Sequence, residues 1–324
     1  MEKIRILALV GPTASGKTAL SIELAKRLGG EIVSCDSMQV YRGMDIGTAK
    51  PTREEMSGIA HHLLDVAEPH DPFSVAQYVA LASKAVREIA ERGRLPILCG
   101  GTGLYLDAFL RGGGFEETES DSELRERLFA YAEEHGAHAL HKRLREVDPE
   151  SADAIHENNV KRVVRALEIF ESTGMTKTEA DKRSRLSPSP YDATVICLSY
   201  PERETLYERI ARRVDVMLSE GLVEETKRLL DARVFETNTT AAQAIGYKEI
   251  LPYLRGEETL ETARNALILA TRRYAKRQLT WFRAKEYVKP LLMTDQEGGL
   301  RALSSVADEA ESLFWNARSE EAQT

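Results

Sequence analysis

The chain has 324 residues, 42% of them hydrophobic, and a net charge of −8. That length supplies one large core or two modest ones. No apolar run approaches the ~18 residues of a membrane span, and the acidic balance argues against a non-specific nucleic-acid binder. Three scattered cysteines, Cys35, Cys99 and Cys197, are too few for a disulfide framework or a zinc site. With an N-terminus that lacks a signal-peptide pattern, they point to the reducing cytoplasm.

In chain order, Ile4 to Val10 reads as a buried parallel strand that runs into Gly11-Pro12-Thr13-Ala14-Ser15-Gly16-Lys17-Thr18. This octet fits G-x-x-x-x-G-K-[ST], and a helix follows from Thr18 to Leu28, so both motif and context are those of a phosphate-binding P-loop. Backbone N–H groups and the helix N-terminus hold phosphate oxygens there. Lys17 adds a point charge, and the Thr18 hydroxyl is a ligand for Mg²⁺. The motif specifies a di- or triphosphate, not its base.

Glu31 to Cys35 is a short strand ending at Asp36, and His62 to Val66 is a third strand candidate. Ser74 caps a helix predicted from Val75 to about Arg92, closed by Gly93. Leu95 to Cys99 is another buried strand, followed by Gly100-Gly101-Thr102-Gly103 and a helix from near Leu104. Such alternation predicts an α/β parallel sheet flanked by helices, of the P-loop NTPase-like kind. Ligands of such sheets sit at the carboxyl ends of the strands, so the P-loop, Asp36 and Thr102 converge on one crevice.

Residues 116–189 carry helical periodicity, much charge and no clear strand, and Ser187-Pro188-Ser189-Pro190 ends the pattern. Thr194 to Leu198 then looks like a strand returning to the sheet, after which the chain is read as helical from Arg203 and frayed from Arg318. The expected organisation is a core domain of residues 1–115 and 190–324 with an all-helical insertion of residues 116–189. Charge is uneven. Residues 259–289 carry eight Lys or Arg against two Glu, and residues 161–185 carry seven against four acids, balanced by acidic runs such as Glu116 to Glu126. These basic stretches suit an RNA or phosphate ligand and equally an ordinary solvated helix face.

A carboxylate at Asp36, beside a P-loop, is placed either as a general base or as a water-mediated partner of Mg²⁺. The polar run Asp36 to Pro51 is too long for a simple connection, and such loops carry function. Gly100 to Gly103 permits close backbone approach or is a plain turn. Arg209 and Arg213 share a helix face and could clamp a diphosphate or pair with surface carboxylates such as Glu220. In Lys276 to Arg283, basic residues interleave with Trp281 and Phe282, which suits RNA phosphates and base stacking, or two core aromatics. His135, His138 and His141 spread too widely around a helix for a metal set. Cys35 and Cys99 flank the crevice as core residues.

Taken together, Gly11–Thr18, Asp36–Pro51 with its Tyr41-Arg-Gly-Met-Asp-Ile-Gly-Thr-Ala-Lys-Pro core, Gly100–Tyr105, Lys161–Phe170, Ala244-Ile-Gly-Tyr247 and Lys276–Arg283 resemble the bacterial tRNA dimethylallyltransferases (tRNA isopentenyltransferases). The matches run from end to end, and the shorter bacterial form is indicated because no C₂H₂ zinc-finger spacing occurs. The resemblance implies transfer of a dimethylallyl group from dimethylallyl diphosphate to N6 of the adenosine 3′ of a tRNA anticodon, with release of diphosphate. The P-loop would hold the diphosphate, and Arg213 would join Lys17, Thr18 and Mg²⁺ around its charge. Asp36 would be the general base, and Thr102 would sit by the bridging oxygen. The target base would be flipped into a pocket formed by Asp36, Ser37, Met38, Gln39 and Thr102. Arg125, Lys161, Arg162, Arg165, Gln243, Gly246, Tyr247, Lys248, Arg277 and Arg283 would hold the anticodon stem-loop. Val163 and Val164 are read as core-facing. A monomer is the default expectation. An adenylate isopentenyltransferase, a small-molecule P-loop kinase and a nucleotide-dependent RNA-binding switch are the competing readings; the first two leave the helical insertion unexplained.

Overall fold

The computed structural model describes residues 3–112, 122–186 and 188–321. It divides into two compact units, residues 1–110 with 191–324, and residues 111–190. The first unit contains β1 (Ile4–Val10), α1 (Lys17–Leu28), β2 (Gly30–Ser34), α2 (Arg53–Met56), β3 (His61–His62), α3 (Val75–Glu91), β4 (Leu95–Cys99) and α4 (Gly103–Leu110). The second contains α5 (Ser122–His135), α6 (Ala137–Val147), α7 (Pro149–Ala154), α8 (Val160–Thr173) and α9 (Lys177–Leu186). The chain then returns to the first unit with β5 (Tyr191–Ser199), α10 (Arg203–Ser219), α11 (Leu222–Asp231), α12 (Val234–Thr237), α13 (Thr239–Ala242), α14 (Leu251–Leu254), α15 (Leu260–Arg283), β6 (Val288–Leu292) and α16 (Leu303–Glu321).

The strands form one parallel sheet in the order β3-β2-β4-β1-β5-β6. Successive side chains of a strand point to opposite faces, and β1 divides accordingly. Leu7 and Leu9 join one core with Leu20, Leu24, Ile196, Leu198 and Ile210. Ile6, Ala8 and Val10 join the other with Tyr78, Val86, Leu106, Phe109 and Phe282. Burial on both faces explains why β1 reads as a continuous apolar run. The α3 start is a capping box, Ser74 with Gln77, which satisfies donors that a helix N-terminus leaves open.

Three expectations are corrected. The third strand is only His61–His62, because Leu63 and Asp65 adopt left-handed backbone (φ 64° and 56°) that no strand continues. The chain beyond Arg203 is not all helical: Val288–Leu292 pairs with β5 at the sheet edge. Pro290 obscured it, since proline is tolerated in a strand only where no ladder donor is needed. Helix α16 runs on to Glu321, past the frayed end read from Arg318. Ser187 and most of the acidic run from Glu116 lie outside the described residues.

In the helical unit, Leu124, Leu128, Leu140, Leu144, Val163, Val164 and Leu167 form the core. Glu168 is buried beside it and receives Arg125 at 2.9 Å and Arg165 at 3.0 Å. The histidines of this unit are engaged locally; His141, for example, bonds the carbonyls of Ala152 and Ile155 at 2.9 Å.

The long connection after Asp36 is pinned by a buried carboxylate on α11. Glu225, 1% exposed, accepts the N–H groups of Asp45, Ile46 and Gly47 at 3.0–3.1 Å and the hydroxyl of Tyr247 at 2.8 Å. Gly47 is required at this point, since a Cβ would lie 2.5 Å from the Tyr247 ring. Removing the carboxylate would strand several buried donors, each at a cost of about 1–3 kcal/mol. Glu225→Ala is therefore expected to lower stability by at least about 3 kcal/mol, read as a fall in the urea midpoint at constant m value. A midpoint within error of the parent would show that water takes over these donors.

Candidate active site

Three adjacent strands, β2, β4 and β1, deliver the site from their carboxyl ends. Strand β1 leads into the P-loop, which wraps to Gly16 (φ 95°) at the start of α1; no side chain caps that helix, so its free N–H groups and its dipole face the loop. The Lys17 ammonium folds back and donates to the carbonyls of Gly11 at 3.0 Å and Pro12 at 2.6 Å. Lys17 keeps some exposed surface toward the adjoining cleft, while its ammonium lies deep among protein groups. Burial pulls its pKa down to about 8; the neighbouring Arg213 adds to the fall and Asp36 opposes it. The hydroxyl of Ser15 is buried without a protein partner, and Tyr200 donates to the Ser15 carbonyl at 2.9 Å.

A cleft of about 600 Å³ opens over this loop. Lys17, Thr18, Lys50, Arg209 and Arg213 line it, with Asp45, Glu55 and Glu220 as the acidic members. Arg209 donates to the Ala14 carbonyl at 2.8 Å, bracing the loop from α10. Burial lowers the pKa of the Arg213 guanidinium, opposed by the charges of Asp36 and Glu55. Both arginines of the pair thus stand beside the P-loop.

Strand β2 ends in Asp36, whose Oδ1 accepts the N–H of Met38 at 2.9 Å. That bond fixes the carboxylate in a local turn and leaves Oδ2 for other work. Strand β4 leads to Thr102, whose Oγ1 accepts the Ser37 N–H at 3.1 Å while its own N–H donates to the Cys35 carbonyl at 3.2 Å. The two strand ends are thus stitched together. Burial pushes the Cys35 thiol up to about 12 and raises Cys99 as well, so both stay protonated and unreactive.

The remaining candidates divide. Lys161, Arg162, Gln243, Arg277 and Arg283 are exposed, and Lys248 is half-buried. Arg125 and Arg165 are engaged in neutralising Glu168. Gln39 turns its amide onto the Ser34 hydroxyl and the carbonyls of Thr48 and Ala49. Gly246 and Tyr247 are corrected as surface contacts: both are buried, and Tyr247 is 0% exposed with its hydroxyl spent on Glu225. Phe282 is a core residue at 1% exposure, and Trp281 is half-buried against the same core. Sequence reasoning missed Glu225, Tyr274 and Gln278, which are buried or half-buried polar side chains on amphipathic helices. Their signal is a polar residue at an apolar position of the helical period.

Comparisons with known proteins identify the family. The IPP transferase family model matches residues 39–285. The chain is 52% identical over 293 residues to a tRNA dimethylallyltransferase of Halalkalibacterium halodurans, covering 90% of this chain and 92% of that protein. A tRNA dimethylallyltransferase of Caldanaerobacter subterraneus subsp. tengcongensis is 47% identical over 293 residues, covering 90% and 93%. Among solved structures, the full-length tRNA isopentenylpyrophosphate transferase from Bacillus halodurans superposes with a TM-score of 0.70 at 45% identity, over 98% of this chain and 99% of that one. A eukaryotic dimethylallyltransferase acting on tRNA gives 0.77 at 30% identity, over 90% and 75%. With its P-loop, its Asp36 strand end and these relatives, the chain belongs to the IPP transferase family.

Proposed function

We infer that this chain is a tRNA dimethylallyltransferase that moves a dimethylallyl group from dimethylallyl diphosphate to N6 of the adenosine 3′ of the anticodon. The observation that carries the reading is geometric: Asp36 follows β2, Thr102 follows β4 and the P-loop with Lys17 follows β1 on three neighbouring strands, and Arg213 lines the cleft over that loop, so a proton acceptor stands near the cations for a leaving anion. In the proposed step the N6 nitrogen attacks C1 of the dimethylallyl group and forms the C–N bond. The C1–O bond breaks, and its electron pair leaves on diphosphate. Asp36 takes the N6 proton. Lys17, Arg213 and the N–H groups at the start of α1 stabilise the charge that develops on the departing diphosphate, and Thr102 lies at the junction of donor and acceptor.

The donor set also suits Mg²⁺, which prefers a hydroxyl or carboxylate, phosphate oxygens and water; Thr18 lines the cleft beside three carboxylates. When bound, the ion would neutralise part of the diphosphate charge. The exposed Lys161, Arg162, Gln243, Arg277 and Arg283 are the proposed contacts for the anticodon stem-loop. Arg125 and Arg165, with side chains 41% and 43% exposed while paired to Glu168, join them. Lys248 is half-buried and is kept as a peripheral contact. A monomeric cytoplasmic enzyme fits this assignment, and among the described residues no helix is long and apolar enough to cross a membrane.

Labelled dimethylallyl diphosphate, Mg²⁺ and unmodified tRNA, with AMP and ATP in parallel, test the reading directly. Label is expected in tRNA alone and reduced about 10²- to 10⁴-fold in Asp36→Ala; label in free nucleotide would move the chain to the adenylate-prenylating reading. Affinity for inorganic diphosphate should weaken as pH rises through about 8. Lys17 without an anion loses its proton there, and the anion must draw it back, so binding takes up a proton above that pH. A Lys17→Met variant should lose this break in a calorimetric pH series, and an unchanged break would assign it elsewhere. Replacing Lys161 and Arg162 together by Ala should reduce the slope of log affinity for tRNA against log salt by about 1.5. An intact slope with a reduced rate constant would remove both residues from the docking surface.

A further inference from the structure

We propose that Gln278 is a positioning residue for the transfer, setting the spacing between the diphosphate loop and the acceptor loop. The inference rests on the transferase reading and adds a residue that touches neither substrate. Gln278 lies on α15 and is 5% exposed. Its Oε1 accepts the N–H of Thr13 in the P-loop at 2.9 Å, and its Nε2 donates to the carbonyl of Gly101 at 3.0 Å. Only this orientation of the amide matches a donor to an acceptor at both ends, so the side chain is a fixed strut between the two loops.

The rest of α15 supports the same loop from one face. One turn earlier, Tyr274 stands close to the Thr102 side chain. One turn later, Trp281 lies over Gly103. Glycine is needed at 103, where a Cβ would meet the Trp281 ring at 2.3 Å, and a Cβ on Gly101 would meet the Gln278 amide at 2.0 Å and push the strut aside. Positions 274, 278 and 281 share a helix face, so a single rigid element addresses Gly101, Thr102 and Gly103 in turn. The P-loop end of the strut is Thr13, a member of the loop read as cradling the anion. In a displacement of this kind the nucleophile and the leaving group must be held in line, and an error of about 1 Å costs about 10²-fold in rate. A residue that spans the two half-sites controls that separation without changing how either half-site binds.

The test is a split between turnover and affinity in Gln278→Leu, which keeps the volume and removes both bonds. The turnover number is expected to fall about 100-fold, while the dissociation constants for inorganic diphosphate and for tRNA, measured separately, stay at wild-type values. A fall of both affinities together with turnover would mean that Gln278 only packs the core, and unchanged turnover would dismiss the strut outright. Should the leucine variant fail to fold, Gln278→Glu keeps the acceptor for Thr13 and loses the donor to Gly101. It should retain wild-type diphosphate affinity with lowered turnover; retained turnover would overturn the proposal. Absence of transfer by the wild-type protein would overturn the activity itself, and this inference with it.

Discussion

The site depends on the parallel pairing of β2, β4 and β1 as neighbours. Adjacent strands lie about 4.8 Å apart, so the loops that leave their carboxyl ends are brought within side-chain reach of one another. The P-loop follows β1, Gly100–Thr102 follows β4 and Asp36 follows β2, and hydrogen bonds then tie neighbouring loops. Thr102 accepts from Ser37, and Gln278 joins Thr13 to Gly101. Were these three strands not neighbours, the ends that carry Asp36, Thr102 and the P-loop would not meet.

Charge is concentrated where water is scarce. Lys17 and Arg213 are both held below their ordinary pKa values chiefly by burial, so an anion entering the crevice supplies the counter-charge that lost hydration no longer provides. Fixed positive groups in a poorly hydrated cleft need no reorganisation when negative charge appears. Arg209 serves a different purpose: it bonds the Ala14 carbonyl and stiffens the loop. Such a loop suits a di- or triphosphate anion whatever group that anion carries.

Buried carboxylates carry much of the remaining organisation. Glu225 gathers three backbone N–H groups and a phenol, which converts a long irregular connection into one wall of the cleft. Glu168 does the equivalent in the helical unit by neutralising Arg125 and Arg165. That pairing holds two guanidinium groups in fixed orientations at the surface of the unit.

The sequence by itself determined the P-loop, the strands and helices through Leu110 apart from the short α2 and the extent of β3, and the buried valines of α8, because these are local: a contiguous motif, a helix cap and hydrophobic periods of two or 3.6 residues. It also brought Asp36 and Thr102 forward, since a polar residue just past a buried strand is visible without a fold. Only the tertiary structure decided what depends on contacts between distant segments. Tyr247 reads as a surface contact of a family motif, yet it packs on Gly47, 200 residues away in the chain, and bonds Glu225. The edge strand β6, with Pro290 and one buried residue, has no periodicity to find and exists because β5 offers it a ladder. Gln278 looks like one more polar residue in a basic helix, and its role appears only when α15 is laid against two loops that the sheet has already placed side by side.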